Sequence, residues 1–168
     1  QGGLLCFLSK MIRPASILEV GTFTGFSTLC LAEGLAENGQ LHTIELRAED
    51  AHTASTYFKQ GPHANKIKMH IGDAKEIIPT LNYTWDLIFI DADKTGYIDY
   101  YNLILPKLSN NGLIIVDNVL FHGEVLEATV SGKSAKAIQA FNEMLQKDDR
   151  TDHTLLTVRD GLTLIRKK

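Results

Sequence analysis

Apolar residues along the chain follow two alternating rhythms. The short runs "SILEV" (16–20), "QLHTIEL" (40–46), "KIKMHI" (66–71), "WDLIFID" (85–91) and "GLIIVD" (112–117) are continuously apolar or alternate with period two, as buried strands do. Between them lie stretches whose apolar positions recur three and four apart. These are 24–37, with Phe26, Leu29, Cys30, Leu31 and Leu35, and then 48–60, 74–80, 96–108 and 133–147, each predicted helical. A first helix, "GGLLCFLSKMIRP", ends before Pro14. The tail "TLLTVRDGLTLIRKK" predicts two strands about an Asp160-Gly161 turn.

Strands alternating with helices require crossover connections, hence a parallel sheet with helices on both faces, and the closing hairpin adds one antiparallel strand. Only 119–133, "VLFHGEVLEATVSGK", is a long irregular segment, and such segments in compact domains serve as lids or binding loops. His122 on it is a candidate ligand contact. Tyr97, Tyr100 and Tyr101 are expected to pack in the core, as is Trp85 at the opposite strand edge.

Composition narrows the function. A length of 168 residues suits one domain, and 44% hydrophobic with 22% charged residues is globular. No apolar run approaches the roughly 20 residues of a membrane span, so a soluble, cytoplasmic protein is expected. Net charge is -3 with no basic block, which argues against nucleic acid and for a small-molecule partner. Cys6 and Cys30 sit among aliphatic residues and read as small core hydrophobes in reduced surroundings. The chain starts at Gln1, directly in a helix, so a preceding segment is expected to be missing.

The strand ends carry the chemistry. Ligands bind outside the carboxyl ends of the strands in an open parallel sheet. Those ends hold Glu19 and Gly21, then Glu45, then Asp73, then Asp91 and Asp93, then Asp117 with Asn118. One acid at a strand end is commonly a helix cap, but a row of them indicates a site. The first turn, "EVGTFTGFS", has glycines for a tight turn and a helix start with free N–H groups, yet it is not G-x-G-x-x-G. Carboxylates with no nearby base disfavour a pyrophosphate. They suit a cationic ligand bearing ribose hydroxyls, because an acid after the second strand can take both hydroxyls. S-adenosylmethionine has those properties.

In this order, "LEVGTFTGFST", "GDA", "FIDADK" and "VDNVLFHG", and then "RDGLTLIRK", resemble the cation-dependent O-methyltransferases, the family of caffeoyl-CoA and catechol O-methyltransferases. The likeness runs over essentially the whole chain. It implies a Rossmann-like, doubly wound, mostly parallel seven-stranded sheet with a C-terminal antiparallel hairpin, forming a single methyltransferase domain over 1–168. It further implies that Glu19, Gly21, Thr22 and Ser27 line the methionine and ribose side of S-adenosylmethionine, that Glu45 grips the ribose, and that Asp73 and Ala74 lie by the adenine. Asp91, Asp117 and Asn118 would hold a divalent cation, Asp93 would sit near the methionine end, and Lys94 would be the base. A homodimer is expected on the same ground.

Two carboxylates and an amide carbonyl are oxygen ligands that suit Mg²⁺, Mn²⁺ or Ca²⁺. Open positions on such an ion accept a vicinal diol and lower its hydroxyl pKa. Lys94, three residues beyond Asp91, can reach the same substrate oxygen, and a neighbouring cation disfavours the charged form of an amine. The bland alternatives are an ion pair between Lys94 and Asp91 or Asp93, and a plain turn at Asp117-Asn118. At the level of function, the competitors are a metal-independent methyltransferase, a nicotinamide oxidoreductase, and a non-catalytic module that only binds cofactor. "DADK" lacks the Asn-Pro-Pro-aromatic turn typical of N-methylation.

Overall fold

A computed structural model describes residues 1–168. The chain runs α1 (Gly2–Ile12), β1 (Ser16–Val20), α2 (Phe26–Ala32), β2 (Gln40–Glu45), α3 (Ala48–Gln60), β3 (Ile67–Ile71), α4 (Ala74–Thr80), β4 (Trp85–Ile90), α5 (Tyr97–Ile104), β5 (Leu108–Asp117), α6 (Lys133–Gln146), β6 (Thr151–Leu156) and β7 (Leu162–Lys167). One sheet carries all the strands in the order β3-β2-β1-β4-β5-β7-β6. β1 to β5 pair parallel, while β7 runs antiparallel to both β5 and β6. The predicted Rossmann-like class, with its closing antiparallel hairpin, is the observed one.

Period-two alternation on buried strands divides the apolar residues between two cores. Leu18, Val20, Ile88, Ile90, Ile114 and Val116 face α4, α5 and α6, meeting Ile78, Tyr101 and Phe141. Ile17, Leu41, Leu87, Phe89 and Ile115 face α1, α2 and α3, meeting Leu5, Leu31 and Phe58. Each such side chain removed from water contributes about 1.5–3 kcal/mol, so neither face can be exposed. The strand order reverses between β1 and β4, and their carboxyl ends form the crevice where ligands bind in this class of sheet.

Three boundaries differ from the sequence expectation. α2 is shorter than 24–37 because Gly34 lies against α1, where an added Cβ would stand 2.1 Å from the Ser9 carbonyl carbon. β5 begins earlier than 112, after a turn at Leu105–Lys107 that contains Pro106 and stops α5. The predicted tight Asp160-Gly161 turn is a five-residue connection, 157–161. Asp160 is drawn off to bind the neighbouring loop: its carboxylate accepts from His122 N at 2.6 Å and Asn118 Nδ2 at 3.3 Å, and its carbonyl accepts from Leu120 N at 3.0 Å. No helix is long and apolar enough to cross a membrane.

Candidate active site

Gly21 closes the crevice between β1 and β4. Its φ is +97°, and a Cβ there would stand 2.1 Å from the Asp91 carbonyl oxygen, so only glycine lets the two strand ends touch. The turn that follows is clamped from β2. Glu45 Oε2 accepts from Thr22 N at 3.2 Å and Phe23 N at 2.8 Å, while Oε1 accepts from Arg47 N at 3.0 Å. Three charge-assisted bonds on one carboxylate make Glu45 an organiser of the glycine turn as well as a candidate ribose partner.

Two cavities open at this edge. The first, about 400 Å³, is lined by Gly21, Phe23, Glu45, Asp73, Ala74, Asp91, Asp93 and Tyr100. The second, about 420 Å³, is lined by Thr22, Ser27, Asp117, Asn118 and Arg159 and again by Gly21, Phe23 and Asp91. Those last three residues are the shared wall. The sequence-derived candidates are thus sorted into two groups: Glu45, Asp73, Ala74 and Asp93 in one chamber, Thr22, Ser27, Asp117 and Asn118 in the other, with Gly21 and Asp91 between. Asp73 also caps α4, accepting from Lys75 N at 2.8 Å.

Lys94 backs the shared wall through Asp91. Its Nζ donates to Asp91 Oδ1, Asn118 Oδ1 and the Tyr97 hydroxyl, each at 2.8 Å. Tyr97 is fully buried and donates onward to the Asp117 carbonyl at 3.0 Å, so its ring anchors both the amine and the end of β5. Burial and the surrounding acids push the Tyr97 phenol well above its usual range, which keeps it a neutral donor. Burial likewise raises the Asp117 carboxyl, reinforced by the charge of Asp91 and opposed by a hydrogen bond from the Gln1 side chain and another from Asn118 N.

Glu19 does not reach this site. It is 0% exposed on the far face of β1, where Oε2 accepts from the hydroxyls of Thr28 and Thr43 and Oε1 has no partner. Burial lifts its pKa to about 7 against those hydrogen bonds. Glu19, expected to line the cofactor, lines neither cavity: its carboxylate is held by the hydroxyls of Thr28 on α2 and Thr43 on β2.

The O-methyltransferase family model matches residues 1–168. The chain belongs to the O-methyltransferase family. Against the catechol O-methyltransferase of Niastella koreensis it is 34% identical over 174 residues, covering 98% of this chain and 78% of that protein. Against the caffeoyl-CoA O-methyltransferase of Stellaria longipes it is 30% identical over 177 residues, covering 99% and 73%. The crystal structure of the O-methyltransferase TomG from Streptomyces achromogenes, in complex with SAM, superposes with TM-score 0.93 at 30% identity, covering 100% of this chain and 79% of that one. The protein is an S-adenosylmethionine-dependent O-methyltransferase.

The donor chemistry at the junction fits a hard divalent cation. Asp91 and Asn118 already coordinate a positive charge, the Lys94 ammonium, through oxygen, and Asp117 lines the same cavity. No three His, Cys, Asp or Glu side chains gather as a metal set anywhere in the fold, because the third oxygen donor here is an amide. Sequence reasoning missed two neighbours. Tyr97 was assigned to packing, although a Lys-x-x-Tyr spacing across the start of a helix puts both side chains on one face. Arg159 opens the matched stretch "RDGLTLIRK" but was given no role, since its place at the cavity depends on how the β6–β7 connection folds back.

Proposed function

We propose that this methyltransferase moves the sulfonium methyl of S-adenosylmethionine to one hydroxyl of a small vicinal diol, of the catechol or hydroxycinnamoyl kind, with a divalent cation such as Mg²⁺ held by Asp91, Asp117 and Asn118. The observation that carries the reading is the pair of cavities meeting at Gly21, Phe23 and Asp91, with the Lys94 amine bonded to Asp91 in that shared wall. One chamber suits the cofactor, with Glu45 toward ribose and Asp73 and Ala74 toward adenine. The other suits the acceptor at its Asp117 and Asn118 end and the methionine end of the cofactor along its Thr22 and Ser27 wall.

The cation, when bound, would lower the hydroxyl pKa and fix the acceptor oxygens. To hold it, Asp91 and Asn118 must release Lys94, which leaves the amine free beside the acceptor. Released from Asp91 and Asn118 and having given one proton to solvent, Lys94 Nζ, as the neutral amine, is then placed to take the hydroxyl proton as that oxygen bonds the methyl carbon and the carbon–sulfur bond breaks, releasing S-adenosylhomocysteine. Phe23 and Gly21 hold donor and acceptor in line, which is most of what a displacement at methyl needs. We propose further that the 168 residues act as a single catalytic domain, in the cytoplasm, as a homodimer.

A second reading keeps methyl transfer and drops the cation. It is favoured by one observation, that Lys94 already satisfies Asp91 and Asn118. Methyl transfer from S-adenosylmethionine to a dihydroxyphenyl acceptor, with EDTA and with Mg²⁺ restored, separates the two. Turnover lost in EDTA and regained with Mg²⁺ is expected; full turnover in excess EDTA would overturn the cation.

A further inference from the structure

We infer that Arg159 forms a subsite for a carboxylate carried by the acceptor, so that the diol methylated here belongs to an acid. The inference rests on the methyl-transfer reading above and names the substrate class within it. Arg159 lies on the wall of the acceptor cavity together with Asp91, Asp117 and Asn118, and also lines an adjoining cleft of about 580 Å³ bounded by Asn118, Leu120, His122, Gly123 and Asp160. It therefore stands at the passage between the reacting end of the acceptor space and its outer end.

The exposed Arg159 guanidinium makes no ion pair or hydrogen bond within the protein, nor does that of Arg13, whereas Arg47, Arg150 and Arg166 pair with Asp50, Asp148 and Asp152. The nearest acid in sequence, Asp160, is committed elsewhere, its two oxygens bonded to His122 N and Asn118 Nδ2. A planar fork of donors is thus left facing the cavity with nothing to bind, which is the geometry a carboxylate fills.

Arg159 has φ +52°, a left-handed conformation it shares with Arg13, Phe23, Asn118, Phe121 and His122, so Arg159→Gly relieves strain and is expected to fold. Asp91 and Asp117 at the reacting end are offset by the Lys94 amine and the proposed cation, so the charge of the outer end is set by its own side chains. Arg159 and His122 are the basic side chains that line the outer end.

The test compares acceptors that share the dihydroxyphenyl ring and differ in charge. These are catechol, 3,4-dihydroxybenzoate, caffeate and caffeoyl-CoA, assayed with the wild type, Arg159→Gly and Arg159→Lys. The wild type is expected to show kcat/KM at least about tenfold higher for the carboxylates than for catechol, the worth of one charge-assisted hydrogen-bond pair. In Arg159→Gly that ratio should collapse through KM, and Arg159→Lys should restore part of it. A ratio that Arg159→Gly leaves unchanged overturns the subsite. If the variant lowers only caffeoyl-CoA turnover, the recognised oxyanion is a carrier phosphate and the carboxylate assignment is wrong. If the wild type methylates none of these acceptors, the methyl-transfer reading has failed on its own account. Calorimetric binding of 3,4-dihydroxybenzoate against catechol, with S-adenosylhomocysteine and Mg²⁺ present, then decides the subsite independently.

Discussion

The amine of Lys94 lies 2.8 Å from the hydroxyl of Tyr97, and that hydroxyl in turn donates to the backbone carbonyl of Asp117. A buried phenol therefore sets the position of the candidate base relative to the end of β5. Tyr97→Phe removes two hydrogen bonds, the one from Lys94 and the one to the Asp117 carbonyl, each worth about 0.5–1.5 kcal/mol, while leaving the ring packed against Phe141. Turnover should fall about tenfold with little change in KM for S-adenosylmethionine. An equal loss in kcat and in cofactor affinity would mean that Tyr97 supports the fold and does not position the amine.

Mg²⁺ should stabilise the wild type by linkage, because a ligand that binds only the native state raises Tm. At a hundredfold excess over Kd the gain is about 2.7 kcal/mol, or roughly 5 °C or more for a chain of this length. Asp117→Ala should abolish that rise in a thermal-shift titration. A rise that survives in the variant would remove Asp117 from the cation site.

Glu45 serves two elements at once, so its loss should be felt twice. Glu45→Ala leaves the N–H groups of Thr22, Phe23 and Arg47 without their acceptor, each at a cost of about 1 kcal/mol or more. Both Tm and calorimetric affinity for S-adenosylhomocysteine should drop, with Glu45→Gln intermediate. Unchanged affinity with a lowered Tm would confine Glu45 to the turn.

Gly21→Ala brings a methyl group to 2.1 Å from the Asp91 carbonyl oxygen at a φ of +97°. No side chain can move to relieve a clash with backbone. The variant should lose more than about 3 kcal/mol, seen as failure to fold or a collapse of the denaturation midpoint. A stable, active Gly21→Ala would mean that the contact between the ends of β1 and β4 is dispensable.

Two buried groups oppose each other in pH. The Glu19 carboxyl, raised by burial to about 7, binds its proton more tightly folded than unfolded, so its contribution to stability falls as pH rises from about 4.5 to about 7. His42, lowered to about 4 by burial and then by the charges of His70 and Lys68, does the reverse, contributing stability that is lost as pH falls from about 6.5 to about 4. The Tm difference between Glu19→Gln and wild type should therefore grow in favour of the variant as pH climbs through the upper window. A difference that stays level from acid to neutral pH would show that Glu19 titrates at its ordinary value.

The fold was largely legible because β1, β2, β4 and the second half of β5 are buried on both faces. Leu87 to Ile90 must be apolar at each position, and the acids that follow can only mark where the sheet stops. Glu19 shows the limit of that reading. Strand-end position announces that an acid is near a ligand edge, yet Glu19 still lies inside β1, held under α2 by Thr28 and Thr43, while Gly21 lies past the strand end, where the turn reaches the cavity. The tight turn expected at Asp160 failed for a related reason. Its residue type suits a two-residue hairpin, but three partners on a loop some forty positions earlier held it elsewhere.

What the sequence determined by itself was the order and kind of elements, the row of acids at one sheet edge, and the three-residue spacing of Asp91 and Lys94, because periodicity and short spacings are local properties. Tertiary structure decided the rest. Two chambers share one wall because β1 and β4 are neighbours only in space. Tyr97 becomes an anchor because β5 ends above it, and Arg159 faces the acceptor cavity because the β6–β7 connection folds back onto the loop after Asn118. Contacts between residues twenty to a hundred and forty positions apart depend on how the two cores close, which no window of sequence contains.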